Sequence, residues 1–371
     1  MSPLPLALQL LLPLGLGALL ARLLAPRLCQ VAWRYGVVDA PDGALKTQAR
    51  AVPYLGGLVI YLAFILTLSA LGPLAPQLLG LLLGGTVLVM LGLFDDMRAM
   101  TPGLKLAGQL LAAWVSVRAG IDIQLTFLPE PLAMLLSVLW LVGITNAINL
   151  IDVADGLATS VAAVTALALG VLAVGMGHAV MATAALALAG ALLGFLPSNW
   201  APARMYLGDA GSLFVGYMLA ALSLMGRYTE HSLWGALAPI CLLWLPLLEV
   251  ALLIGARWRR GLSPFAGSPD HFALRLRARG WSPAKVAHLA WILALAGALV
   301  ALWLSQQAAA AAAAGVAAAA VAAAATLIAF ARLPAPRRPA TAAAAAADSV
   351  SNLVARSGPN APAARAAMSH R

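Results

Sequence analysis

Apolar runs of about 17–25 residues recur eleven times in this chain, and that recurrence limits its fold more than any other feature. A helix needs about 20 predominantly apolar residues to cross the ~30 Å hydrocarbon core of a bilayer. The runs fall at 4–24, 53–73, 77–94, 104–120, 131–149, 158–176, 179–196, 211–226, 233–254, 286–304 and 308–331. They predict an all-α fold, a polytopic integral membrane protein with about eleven transmembrane helices. Composition points the same way: 63% of the 371 residues are hydrophobic and 10% are charged. Soluble domains carry about 25% charged residues, so an ordinary soluble domain is excluded. A transporter, a channel or a membrane enzyme remains. The eleventh run is nearly all alanine, which makes its insertion marginal.

Basic residues set the expected orientation. Loops after odd-numbered runs carry Arg27, Arg34, Lys46, Arg50, Arg98, Arg204, Arg257, Arg259, Arg260, Arg275, Arg277, Arg279 and Lys285. Loops after even-numbered runs offer little beyond Arg118 and Arg227. The positive-inside rule then places the N-terminus outside and the odd-numbered loops in the cytoplasm. No basic residue precedes Arg22, so the first run lacks the charged lead of a cleaved signal peptide and reads as a retained span. Residues 1–332 form the multi-span domain. Residues 333–371, rich in Ala, Pro and Arg, read as a disordered cytoplasmic tail whose arginines can meet anionic lipid. Cys29 and Cys241 lie far from any Cys/His cluster and read as inert thiols.

The acidic residues gather in the odd loops. "GLFDDMRAMTPGLKLAGQ" supplies Asp95, Asp96 and Lys105, and "TNAINLIDVADGLATS" supplies Asn146, Asn149, Asp152 and Asp155. "NWAPARMYLGDAGSLFVGY" adds Asn199 and Asp209, and the loop after the ninth run holds Asp270 and His271. Alternation of loops puts all four on one face. Carboxylates at a membrane edge are costly and usually functional. An oxygen-rich set suits Mg²⁺, which takes one or two carboxylates plus substrate phosphates and water. Asn146, Asn149 and Asp152 stand three residues apart, one polar stripe along a helix. The "GDAGS" segment starts a helix whose first amides favour phosphate, with capping by Asp209 as the structural alternative. Lys105 and Gln109 share a helix face, and Lys105 is either a snorkelling interfacial cation or a phosphate contact.

These ordered motifs, from about Gly36 to Ser282, resemble those of the polyprenyl-phosphate N-acetylhexosamine-1-phosphate transferases. That membrane family includes the UDP-GlcNAc:undecaprenyl-phosphate enzyme and the phospho-N-acetylmuramoyl-pentapeptide transferase. "VVDAPDGALKTQARAVPYLGGL" belongs to the same set. The resemblance implies Asp95, Asp96 and Asp155 as catalytic residues and Asp209 as the metal ligand. It implies Asn146, Asn149 and Asp152 in the nucleotide and catalytic site. Lys105, Asn199, His271 and Arg275 complete the expected substrate-binding set. Three departures stand out: Val153 replaces a motif glycine, Glu249 stands where the family often has Asp, and the basic HxHH signature is reduced to "HFAL". Eleven spans with an outside N-terminus fit the UDP-GlcNAc branch.

The expected activity is transfer of a sugar 1-phosphate, GlcNAc-1-phosphate first, from a UDP-sugar to undecaprenyl phosphate with release of UMP. Mg²⁺ or Mn²⁺ is the expected cofactor. The expected partners are the donor, the polyprenyl-phosphate acceptor, membrane lipid and a second copy in a homodimer, with no nucleic acid. The bacterial inner membrane is the expected location, with the site facing the cytoplasm. A cation- or proton-coupled transporter and a non-catalytic homologue are the alternatives. A transporter, however, places its carboxylates near the midplane between repeat-related broken helices.

Overall fold

The computed structural model describes residues 6–39, 51–71, 75–125, 127–261, 263 and 269–335. Lys46, Arg50 and all of the predicted tail beyond residue 335 lie outside the described residues. The chain opens with α1 (Leu6–Tyr35). A two-residue antiparallel ladder follows, β1 (Val38–Asp39) against β2 (Val52–Pro53), with Val38 opposite Pro53. Then come α2 (Gly56–Ala70), α3 (Pro76–Met97), α4 (Pro102–Arg118), α5 (Glu130–Ile151), α6 (Leu157–Gly175), α7 (Ala179–Asn199) and α8 (Gly208–Leu224). A 3₁₀ turn at Leu233–Leu237 leads into α9 (Ala238–Leu242) and α10 (Trp244–Trp258). The short α11 (Phe272–Ala278), α12 (Pro283–Leu304) and α13 (Ala309–Ala331) complete the described chain.

The structure is all-helical apart from that ladder, as the apolar runs require, and each predicted run falls on helical chain. Length and apolar character by themselves give a smaller number of crossings than eleven. Among the described residues, seven helices are long and apolar enough to cross a membrane, eight if the bent pair Leu233–Leu242 and Trp244–Trp258 is one span. Apolar α2 and α8 have only 15 and 17 residues, and α4 has 17 with Lys105, Gln109 and Arg118 along it. At 1.5 Å per residue, such helices are about 22–26 Å long and approach the ~30 Å core only with their flanking apolar residues. Apolar residues beyond a helix end lengthen a run without lengthening the helix.

The 72° bend in the ninth segment has a local cause. Pro246 sits in the first turn of α10. It has no N–H to offer the carbonyl of Leu242, so the helix breaks there and restarts at Trp244.

Helix α8 is the axis of the bundle. Every residue from Ala210 to Ser223 is buried, and α2, α3 and α5 pack around it. Apolar surface gives little drive for association inside lipid, so close backbone approach and interhelical hydrogen bonds must hold such helices together. Both are present. A side chain at Gly57 would run into the backbone of Ala210 and Gly211, and one at Gly92 into Asp209 and Ala210. The Ser116 and Tyr217 hydroxyls bond at 2.6 Å between α4 and α8. Trp140 donates its indole N–H to Ser223 at 3.0 Å between α5 and α8.

Candidate active site

The ends of α3, α4 and α5 meet the start of α8 at one end of the bundle, and local chemistry fixes how. Segment 53–57 pairs with segment 206–207 through three backbone bonds. Tyr206 N–H donates to Pro53 at 2.8 Å, Gly56 N–H to Tyr206 at 3.1 Å, and Gly57 N–H to Leu207 at 2.9 Å. Gly208 follows in a left-handed conformation, with φ at 73°. A Cβ there would also press on an Asp96 carboxylate oxygen and on the Tyr54 carbonyl. Only glycine meets both demands. The Asp96 carboxylate therefore reaches the first amides of α8, accepting from Asp209 N–H at 2.8 Å and from Ala210 N–H at 3.1 Å. A carboxylate suits that position, because the start of a helix presents unpaired N–H groups and partial positive charge. The sequence made Asp209 the candidate cap; the structure gives that job to Asp96, and the two amides it takes are not available to a phosphate.

Asp209, released from capping, extends between α4 and α5. Lys105 donates to Asp209 Oδ2 at 3.0 Å and to Asp95 Oδ2 at 2.9 Å, so one ammonium sits between two carboxylates. Asn149 Nδ2 donates to Asp209 Oδ1 at 2.6 Å and to Ser212 Oγ at 2.8 Å. Asp95 also accepts the Met100 N–H at 2.7 Å, which turns the chain from α3 toward α4. Asp152 stands just past the end of α5. No hydrogen bond engages its carboxylate among the described residues. Burial, reinforced by Asp209, Asp96 and Asp155, pushes its pKa up to about 8.

Asp155 lies on the rim, where it accepts the Ala203 N–H at 2.9 Å and ties the loop after α5 to the loop after α7. Gly156, also left-handed with φ at 72°, lets the chain pass against Trp200. Trp200 in turn meets the His288 ring edge-on, with ring centres 5.0 Å apart. Loops after the third, fifth and seventh predicted spans thus share one end of the bundle with the start of α12. Burial raises the Tyr206 phenol above its usual range, and Asp155 and Asp39 reinforce the effect.

The other expected site residues are placed differently. Asn146 exchanges amide hydrogen bonds with Gln109 at 2.7 and 3.2 Å, locking α5 to α4. Asn199 is buried between the Thr159 hydroxyl, which donates to it at 2.7 Å, and the Met205 carbonyl, which accepts from it at 3.0 Å. His271 and Arg275 belong to a second network that shares no hydrogen bond with the carboxylate cluster among the described residues. His271 Nδ1 lies 2.8 Å from the buried Glu249 carboxylate. Arg275 bonds the Asp270 carboxylate at 3.0 Å, the Asp270 carbonyl at 2.8 Å, and the carbonyls of Ala331 and Leu333 at 3.2 and 2.8 Å. The sequence reading expects Arg275, with His271, to contact the donor; in the structure its guanidinium bonds to the chain through these contacts. Sequence reading missed Ser212, although its place three residues after Asp209 on α8 puts both on one face.

Among the described residues, no group of three or more His, Cys, Asp or Glu side chains is arranged to hold a metal ion unaided. The Lys105 ammonium, however, already rests between Asp95 and Asp209, where two hard oxygens converge on positive charge. Two carboxylates with the remaining ligands from phosphate and water is the donor set Mg²⁺ takes. The residues fit a cation that arrives with its substrate.

Comparison with known proteins agrees with this geometry. The family model described as "Glycosyl transferase family 4" matches residues 78–227, the stretch from α3 through α8 that holds every member of the carboxylate cluster. The probable undecaprenyl-phosphate N-acetylglucosaminyl 1-phosphate transferase of Bacillus subtilis (strain 168) is 32% identical, over 70% of this chain and 75% of that protein. The decaprenyl-phosphate N-acetylglucosaminephosphotransferase of Mycobacterium leprae (strain TN) is 30% identical, over 65% of this chain and 70% of that one. The phospho-N-acetylmuramoyl-pentapeptide-transferase of Moorella thermoacetica (strain ATCC 39073 / JCM 9320) is 32% identical, over 80% and 98%. With the motif order, the helical bundle and these similarities together, the chain belongs to glycosyl transferase family 4.

Proposed function

We propose that this chain transfers a sugar 1-phosphate, GlcNAc-1-phosphate first among candidates, from a UDP-sugar to undecaprenyl phosphate, as the first step of a cell-envelope polysaccharide. One observation carries the reading. Asp95, Lys105, Asn149, Asp152 and Asp209 converge at one end of a membrane bundle, within the stretch that matches the family. A water-soluble nucleotide and a membrane-held phosphate can meet only at such an edge. The one-sided Arg and Lys distribution makes that edge cytoplasmic, in a bacterial inner membrane. Helices α4 and α8 run from this edge to the opposite rim of the bundle. We take them, with α2, as crossings, which makes eleven.

The acceptor is a phosphate monoester with a second pKa near 6, so it reaches the site mostly as a dianion and needs no strong base. One of its oxygens attacks the sugar-bearing phosphorus of the donor. The bridging P–O bond breaks, and UMP leaves with the electron pair. Bound Mg²⁺ or Mn²⁺ would neutralise charge on the pyrophosphate and polarise its oxygens. Asp209 and Asp95 would hold that cation, and Asn149 fixes the Asp209 carboxylate for it. Lys105 would turn from the carboxylates to a phosphate oxygen, and Asp152, unpartnered, would face the incoming groups. Asp96 and Asp155 act through the chain, one holding α8 and the other the 200–207 loop. A homodimer fits this reading.

The test is UMP release from UDP-GlcNAc by purified protein with undecaprenyl phosphate present or absent. Lipid-dependent UMP release, with radiolabel appearing in the lipid phase, is the expected outcome. UMP formed equally without the lipid, or none with either UDP-GlcNAc or UDP-GalNAc, would remove the transferase reading. A transporter is not favoured, because the carboxylates lie at the bundle edge and not at mid-depth.

A further inference from the structure

Between α10 and α13 lies a cavity of about 350 Å³ that no step of the proposed transfer uses. Along the helices its lining is small and apolar, with Ala251, Leu252 and Gly255 from α10 and Leu327 and Ala331 from α13. Where both helices stop, the lining changes to Arg259, Arg260 and Arg275. An apolar groove that ends in arginines at a membrane edge has the two-part chemistry of a lipid site.

The arginines are held in place by the chain. Asp270, fully buried, takes Arg260 through both oxygens at 2.7 and 2.8 Å and Arg275 at 3.0 Å. Four of the five Arg275 N–H groups are engaged, but Arg260 spends only two on Asp270, and its side chain is 43% exposed. Arg259 is exposed and forms no ion pair or hydrogen bond among the described residues. Three guanidinium groups thus face one carboxylate, and the surplus of charge and donors lies on Arg259 and Arg260. Glu249, the other acid of this network, is fully buried and bonded to the His271 ring and the Phe272 N–H. A cationic or zwitterionic ligand would find no carboxylate for its ammonium, so the ligand is an anion.

The groove says which kind of anion. Helix α13 buries only Ala312 and Phe330 along its length, so protein leaves its flank beside α10 largely uncovered. Ile254 and Trp258 on α10 and Ile328 on α13 are 45%, 81% and 51% exposed, an apolar surface suited to acyl chains. A side chain at Gly255 would meet nothing within 4 Å, which marks open space on the groove side of α10. A soluble anion has no use for such a groove, whereas basic pockets between helices at the cytoplasmic edge hold anionic lipid headgroups. We propose that this cavity binds one anionic phospholipid of the phosphatidylglycerol kind, its phosphodiester on Arg259 and Arg260 and an acyl chain in the groove between α10 and α13. The lipid joins the ends of two helices that the protein itself fastens mainly through Arg275.

The test uses the full-length protein in nanodiscs of phosphatidylglycerol mixed with phosphatidylcholine, without undecaprenyl phosphate. Retained lipid is counted by native mass spectrometry. Wild-type protein should keep one phosphatidylglycerol in preference to phosphatidylcholine. Arg259→Ala should lower that retention roughly fivefold, the effect of one arginine at an anionic lipid surface. Gly255→Leu leaves every arginine in place and fills the groove, so it should abolish the preference. If Gly255→Leu lowers the melting temperature, Ala251→Leu, one turn earlier at an exposed position, replaces it. Soluble glycerol phosphate in large excess should not displace the lipid. Equal retention of the two lipids, or a preference untouched by Arg259→Ala, overturns the proposal. A preference that survives the groove variant reduces the site to general attraction by a basic loop, and displacement by glycerol phosphate reduces it to a site for soluble anions; either result overturns it as well.

Discussion

A carboxylate whose two oxygens both accept backbone amides has little left for a substrate, and this separates Asp96 from its neighbour Asp95. Asp96 holds the start of α8 at 2.8 and 3.1 Å, whereas Asp95 shares the Lys105 ammonium with Asp209. Asp96→Ala should therefore cost about 1–2 kcal/mol of stability, the usual penalty for a lost helix cap, and lower the melting temperature. Asp95→Ala should lose turnover while melting near the wild-type temperature; thermal melts in one detergent alongside UMP release separate the two. If both variants melt alike, the capping role is wrong. Asp152 adds a pH dependence. With its pKa pushed up to about 8, the folded chain keeps a proton that the unfolded chain releases near 4. The folded state then binds more protons across that window, so stability falls as pH rises from about 4 to about 8. Melts with chelator present should drop more steeply from pH 5 to pH 8 for wild-type protein than for Asp152→Asn. Parallel slopes would place the carboxylate elsewhere.

Helices were legible as runs because a span surrounded by lipid and other helices is apolar on every side. Their ends were not. The run at 53–73 gave no sign that α2 covers only Gly56–Ala70, since the residues that pair with the 206–207 segment are themselves apolar or glycine. Of the site, the residue types and the shared face could be read, because carboxylates in an apolar chain are conspicuous. The division of labour could not. Asp96 finds its amide partner 113 residues away, a separation that no local pattern encodes. His271 and Arg275 read as donor contacts because a basic loop looks the same whether its charges meet phosphate or the protein. Here Arg275 fastens the end of α13, while Phe272 stacks on Phe330 with ring centres 5.0 Å apart. Arg275→Ala removes one of two arginines that pair with the fully buried Asp270 and leaves the Arg260 pair, at 2.7 Å. The variant loses one charged hydrogen bond to Asp270 and the two to the α13 end, so it should melt lower and exchange the amides of α13 faster by mass spectrometry. Unchanged exchange in α13 would show that Arg275 does not hold it.

The molecule as a whole has two ends of different chemistry, acidic with Lys105 at one and the exposed Arg227 and Glu230 at the other. Single cysteines at Arg98, Ala154, Arg204 and Arg279 should all label from the cytoplasm, and one at Thr229 from the opposite side. One exception among the first four would break the shared end. The order in which the ends are made has its own consequence. A chain emerging from the ribosome delivers Asp95 and Asp96 long before α8 exists, and two carboxylates at the tip of a greasy helix resist entry into lipid. Lys105 follows only 10 residues behind Asp95. With Arg98, which stands closer still, it is a counter-charge that would travel with the pair through biogenesis, before it has any part in turnover. Lys105→Ala should thus reduce the yield of membrane-inserted protein as well as its activity, and Asp95→Asn in the same chain should restore the yield without restoring the activity.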